Sequence, residues 1–150
     1  MTGEQKFYLE DLRVGMFRES IMDITAGKID AFADIIGDHN PIHVDEEFAK
    51  TTPFGQRIAH GALSASLISA IIGNDLPGPG AVFVELNLRF RRPALIGDTV
   101  VGRAEVAEIN EKTDLVVMRC SCSVDGRQIC SGDAGVIVKK RLTDSYPKDS

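Results

Sequence analysis

The sequence predicts an α+β fold, and three observations carry that prediction. The segment from Gly61 to Ile72 is apolar on almost every side, four alternating strand patterns fill the second half, and an amphipathic helix in the first half ends at a glycine. Nothing repeats internally and no linker divides the 150 residues. One domain is therefore expected across 1–150, with a core from about 12 to 140 and a polar tail at each end.

Taken in order, residues 1–11 read as a tail with an aromatic foothold at Phe7 and Tyr8, and Val14 to Ile21 as a first short strand. Thr25 stands where a helix N-cap belongs, and Ile29, Phe32, Ala33 and Ile36 follow at i, i+3, i+4 and i+7, which makes one apolar stripe. Gly37 falls just past the last stripe residue. Pro41 forbids that helix from continuing and pushes Asn40 toward an extended conformation. Asp45 to Lys50 reads as one or two helical turns, and Thr51 to Gln56, with Pro53 and Gly55, as a loop.

Between Gly61 and Ile72 only Ser64, Ser66 and Ser69 are polar, so this helix is expected to be buried on most sides. Gly73-Asn74-Asp75 ends it and Pro77-Gly78-Pro79-Gly80 is a break. Val82, Val84, Leu86, Leu88 and Phe90 then alternate against Phe83, Glu85, Asn87, Arg89 and Arg91, the pattern of a long half-buried strand. Gly97-Asp98 turns into a strand from Thr99 to Glu108. Another runs from Leu115 to Val124, and Asp125-Gly126 is a hairpin signal leading into Ile129 to Lys139. These four consecutive strands are expected to pair as antiparallel neighbours. A sheet curling round the apolar helix explains its small polar face.

A net charge of -5 and a pI near 5.2 argue against nucleic acid as a partner, while leaving room for a local basic groove. Cys120, Cys122 and Cys130 make an odd count with no secretory leader before them, which points to a reducing compartment and a cytoplasmic protein. One residue separates Cys120 from Cys122, a spacing of neither a redox pair nor a zinc knuckle, so the three read as buried structural thiols. No apolar run approaches the ~20 residues needed to span a bilayer, so no membrane partner is expected.

The chemistry concentrates in Gly37-Asp38-His39-Asn40-Pro41-Ile42-His43 and Ile58-Ala59-His60-Gly61, which hold all three histidines. If the chain turns sharply at Pro41, Asp38 and His43 can face one space, where a carboxylate and an imidazole sharing a water can move protons to and from it. The plainer alternative is that Asp38 and Asn40 satisfy loose backbone groups and His43 is solvated. Asn40 fits a role in fixing the loop, and His39 points away from the side Asp38 uses. Gly61 opens the apolar helix, so its N–H is a ready donor to an oxyanion, unless the glycine serves only close packing. Arg89, Arg91 and Arg92 can meet the phosphates of a nucleotide-like ligand or simply keep an edge strand soluble.

Those two stretches, together with Arg91-Arg92-Pro93-Ala94-Leu95-Ile96-Gly97-Asp98-Thr99-Val100, resemble the MaoC-like (R)-specific enoyl-CoA hydratases over about residues 12–140. The resemblance implies a hot-dog fold: a long central helix wrapped by a curved antiparallel sheet, usually dimeric. It implies reversible hydration of a trans-2-enoyl-CoA to the (R)-3-hydroxyacyl-CoA, with Asp38 and His43 as the dyad, Asn40 supporting the loop and the Gly61 N–H polarising the thioester carbonyl. Ser69 and Ile72 are expected to limit acyl length, and Arg89, Arg91 and Arg92 to meet the substrate. No metal or other cofactor is implied. The same fold hosts thioesterases, and a non-catalytic acyl-binding module is a further alternative. Where the family often has a small residue before the Gly-Asp pair, this chain has Ile36, either packed in the stripe or narrowing the acyl pocket.

Overall fold

A computed structural model describes residues 7–141; the expected tails at 1–6 and 142–150 lie outside the described residues. Residues 7–12 are less tail-like than expected. A 3₁₀ turn at Leu9–Asp11 places Leu9 and Leu12 in the core, and the Leu9 N–H donates to the Lys139 carbonyl.

Strand β1 (Phe17–Asp23) leads into helix α1 (Ala26–Ile36). Thr25 caps α1 by accepting from the Lys28 N–H, and Gly37 ends it at φ 79°, a left-handed conformation that glycine adopts without strain. The stripe buries Ile29 and Ala33, but Ile36 is 48% exposed and does not pack in it. Two short helices follow, α2 (Pro41–Val44) and α3 (Glu46–Lys50), and then α4 (Gly61–Asn74). The remaining strands are β2 (Val82–Phe90), β3 (Thr99–Asn110), β4 (Leu115–Val124) and β5 (Arg127–Ile137). They make one antiparallel sheet with β1, in the order β1-β3-β4-β5-β2.

That order corrects the expectation of four consecutive neighbours: β3, β4 and β5 pair in series, but β2 lies beyond β5. The cause is local. The Gly97 N–H donates to the Ile24 carbonyl and the Ile24 N–H to the Asp98 carbonyl, which locks the turn before β3 to the end of β1. Residues 91–98 must therefore cross from one edge of the sheet to the other. Strand β2 is then an edge, and instead of being half-buried its Val82, Val84, Leu86 and Phe90 are 40–54% exposed.

The sheet packs round α4, burying Leu63, Ser64, Leu67, Ile68, Ile71 and Ile72. A Cβ added at Gly102 of β3 would lie 2.9 Å from the Leu67 side chain, so the helix sits as close as a bare backbone allows. The burial is one-sided rather than all round. Ala62, Ser69, Ala70 and Gly73 are exposed, which small side chains tolerate at little cost. Among the described residues no helix is long and apolar enough to cross a membrane.

Val116, Met118, Cys120 and Cys122 share the buried face of β4, and Cys130 faces Cys122 from β5. Burial pushes the Cys120 thiol up to about 12, and a hydrogen bond with Cys130, with burial behind it, holds Cys122 above its ordinary range. A raised pKa means less thiolate, about one part in ten thousand for Cys120 at pH 8, and the thiolate is the reactive form. Hydrogen bonding with Cys122 draws the Cys130 pKa down, but this thiol too is closed to solvent. An aromatic disulfide reagent is expected to titrate none of the three thiols in native protein at pH 8 and all three in guanidinium chloride. A second outcome concerns Gly132, where a Cβ would lie 1.8 Å from the Asn87 carbonyl oxygen on β2. Backbone cannot swing aside as a side chain can, so Gly132→Ala should cost at least ~3 kcal/mol in denaturant unfolding, the upper end for overpacking.

Candidate active site

The end of α1 and the start of α2 are shaped by two side-chain turns. An Asp38 carboxylate oxygen accepts from the Asn40 N–H at 3.1 Å, and the Asn40 amide oxygen accepts from the Ile42 N–H at 3.2 Å. Asn40 is thus the N-cap of α2 and Pro41 its first residue, where a missing N–H goes unmissed. Gly37 has already ended α1, and Pro41 starts a new helix rather than stopping the old one. His43 therefore lies on a helical turn rather than in an open loop, and the loop-fixing role expected of Asn40 takes the form of a cap.

Two neighbours hold His43. Its Nδ1 lies 2.8 Å from the Ile58 carbonyl oxygen, and because a carbonyl only accepts, Nδ1 carries the hydrogen and Nε2 the free lone pair. Arg57, itself buried, donates from Nε to the His43 carbonyl at 2.5 Å and from Nη2 to the Asp30 carboxylate on α1. The His43 side chain is only 12% exposed, whereas that of Asp38 is 47% exposed. Their nearest atoms, Nε2 and Oδ2, stand 4.0 Å apart. That is too far for a direct hydrogen bond, yet one water about 2.8 Å from each could hydrogen-bond to both.

Residues 57–60 bring α4 to this pair. The Ile58 N–H donates to the Ile42 carbonyl and the Ala59 N–H to the Ala94 carbonyl, while Ile58 bridges to Leu95. His60 occupies the N-cap position of α4 without a capping hydrogen bond from its side chain, and Gly61 opens the helix, with first-turn N–H groups that precede the intrahelical ladder. A Cβ at Gly61 would lie 3.0 Å from the Phe90 ring, so close packing is a second reason for glycine there. His43, Gly61, Ser64, Phe90, Arg91 and Arg92 are among the residues lining a cavity of about 300 Å³.

Asp38, His43 and His60 place three potential ligand atoms within 4.8 Å of one another. The two imidazoles are stacked, however, with centroids 3.9 Å apart and planes at 26°. Their in-plane lone pairs run side by side instead of converging on one point, an arrangement for handling protons more than for ligating an ion.

Of the residues singled out from sequence, His43, Gly61, Arg91 and Arg92 line the cavity, while Asp38 stands beside His43 and Asn40 caps the helix that carries it. Three lie elsewhere. Arg89 is exposed on β2 and does not line the cavity. Ile72 is in the core, eleven residues or roughly 16 Å along α4 from Gly61. Ser69 lies on the exposed face of the same helix. Ser64 and Ile129 line the cavity in their place. Ile36 is not part of the lining either, so it neither packs in the stripe nor narrows this space. His39 stands apart, exposed and 3.7 Å from Asp34. Arg57 escaped the sequence reading, and His60, placed there in a chemical-looking stretch, was given no role of its own.

A family model described as MaoC like domain matches residues 16–127. The chain is 46% identical over 134 residues to a 3-hydroxybutyryl-CoA dehydratase of Methylorubrum extorquens, covering 89% of this chain and 85% of that one. It is 42% identical to an (R)-specific enoyl-CoA hydratase of Rhodospirillum rubrum, over 89% and 93% of the two chains. Among solved structures, the unliganded R-hydratase PhaJ1 of Pseudomonas aeruginosa superposes with a TM-score of 0.86 at 35% identity, covering 97% of each chain.

Arg57 holds the backbone of α2 at His43 and the Asp30 carboxylate of α1 through two hydrogen bonds from a charged donor, each of a kind worth ~1.5–3 kcal/mol. Arg57→Ala should lower unfolding stability by about 2–4 kcal/mol. Arg57→Lys should recover only part of it, because an ammonium cannot reproduce the guanidinium fork.

Proposed function

The chain belongs to the MaoC-like dehydratase family, and on that premise we propose that it is an (R)-specific enoyl-CoA hydratase. It adds water reversibly across a trans-2-enoyl thioester to give the (R)-3-hydroxyacyl product. The observation that carries the reading is the 4.0 Å gap between His43 Nε2 and Asp38 Oδ2 beside the cavity.

In this reading one water is held in that gap, one hydrogen toward the Nε2 lone pair and the other toward the carboxylate. The Gly61 N–H donates to the thioester oxygen, so negative charge can develop there as C3 is attacked. The water oxygen bonds to C3, its proton passes to Nε2, and a proton returns from the dyad to C2. The sum is one water added and no electrons exchanged. Because Nδ1–H is engaged with Ile58, Nε2 is the nitrogen open to that proton. Arg91 and Arg92 at the cavity rim offer cations to the phosphates of the acyl carrier. The reading also takes residues 1–150 as one domain of a cytoplasmic homodimer in fatty acid metabolism; the exposed apolar edge at β2 supports the pairing.

The test is crotonyl-CoA hydration, followed by loss of enoyl absorbance and chiral assignment of the product. Asp38→Ala and His43→Ala should each lower kcat by ~10²–10⁴ while circular dichroism stays that of the wild type. Release of free CoA thiol from saturated acyl-CoA would favour a thioesterase, and binding without turnover an acyl-binding module.

A further inference from the structure

His60 is 2% exposed and meets three parts of the site with one ring. Its face stacks on His43, and Phe32 of α1 seats an edge contact on it at 5.2 Å. Its Nε2 lies 3.0 Å from the Asp38 carbonyl oxygen, so the hydrogen is on Nε2 and points at the residue carrying the carboxylate. Through the chain it adjoins Gly61. Its Nδ1 is buried with no hydrogen-bond partner, a state that folded proteins seldom accept without a reason. A hydrocarbon ring of the same size would fill this space with no orphan nitrogen, so packing alone does not account for an imidazole. Nor does capping, since the side chain makes no cap hydrogen bond to α4.

We infer that His60 is a positioning residue for the dyad, its Nε2–H fixing the Asp38 backbone and its ring face fixing the His43 imidazole. The inference rests on the hydratase reading for its kinetic consequence. The two imidazoles carry their hydrogens on opposite nitrogens, Nδ1 in His43 and Nε2 in His60. Losing the Nε2–H frees the Asp38 backbone, while losing the ring frees the His43 plane, and either change widens or skews the 4.0 Å gap.

Two variants separate the contributions. His60→Phe keeps a ring face and removes the N–H; His60→Gln can place an amide N–H near the Nε2 position and removes the ring. On crotonyl-CoA, His60→Phe should lower kcat by about 10- to 100-fold with KM within about threefold of wild type, the signature of misplacement rather than lost binding. His60→Gln should recover about half of that loss on a logarithmic scale. Wild-type kcat in His60→Phe, or equal losses in both variants with KM rising in step, would overturn the inference. Long-range ¹H–¹⁵N spectra of the wild-type protein supply a readout that needs neither turnover nor a folded variant. They should show an Nδ1–H tautomer for His43 and an Nε2–H tautomer for His60; an Nδ1–H tautomer or a freely exchanging ring at His60 would sink the proposal. A wild-type protein that leaves crotonyl-CoA unchanged counts against the hydratase reading, and the tautomers then decide this one alone.

Discussion

The close approach of α4 to β3 is the constraint on which the rest depends. Leu67 and Ile71 rest against the bare backbone of Gly102, and a methyl group there would push the helix outward. With one face of α4 so placed, the first turn of the helix arrives beside residues 91–95, and the Ala59–Ala94 hydrogen bond keeps it there. The catalytic reading needs a helix N-terminus and an imidazole at one cavity. The first follows from the depth at which an apolar helix settles into a sheet.

The rest of the site is assembled by short-range rules. Gly37 turns the chain out of α1, Asn40 and Pro41 begin α2, and within six residues of the glycine His43 has its backbone direction. What short-range rules cannot supply is the orientation of the ring. Contacts from residues 57–60 do that, reaching His43 through Ile58 and Arg57 and Asp38 through His60. The Asp38–His43 pair is encoded in one segment and aimed by another.

This division explains what was legible in the sequence. Thr25, Gly37 and the Asp125-Gly126 turn act on their immediate neighbours, so the helix cap, the helix exit and the hairpin could all be read from composition and spacing. The alternation of β2 was equally plain, but alternation records which residues can be buried, not which side a sheet leaves open. Strand order depends on where Gly97 and Asp98 dock, and the partner there is Ile24, more than seventy residues away. Ser69 and Ile72 were misplaced for a related reason: helical spacing shows that two side chains are neighbours without showing which cavity they face. Arg57 gave no signal in the sequence because its two acceptors, the His43 carbonyl and Asp30, are invisible without the fold.

Phe90 closes β2 with half its surface open, and its ring also lies over Gly61 in the cavity wall. One side chain therefore belongs to two surfaces, the sheet edge and the cavity wall. A substitution there is not a clean probe of either, since altered turnover and altered association would share a single cause. Separating the two requires pairs of variants, one along the outward residues of the strand and one at Ser64 or Ile129, compared at several protein concentrations.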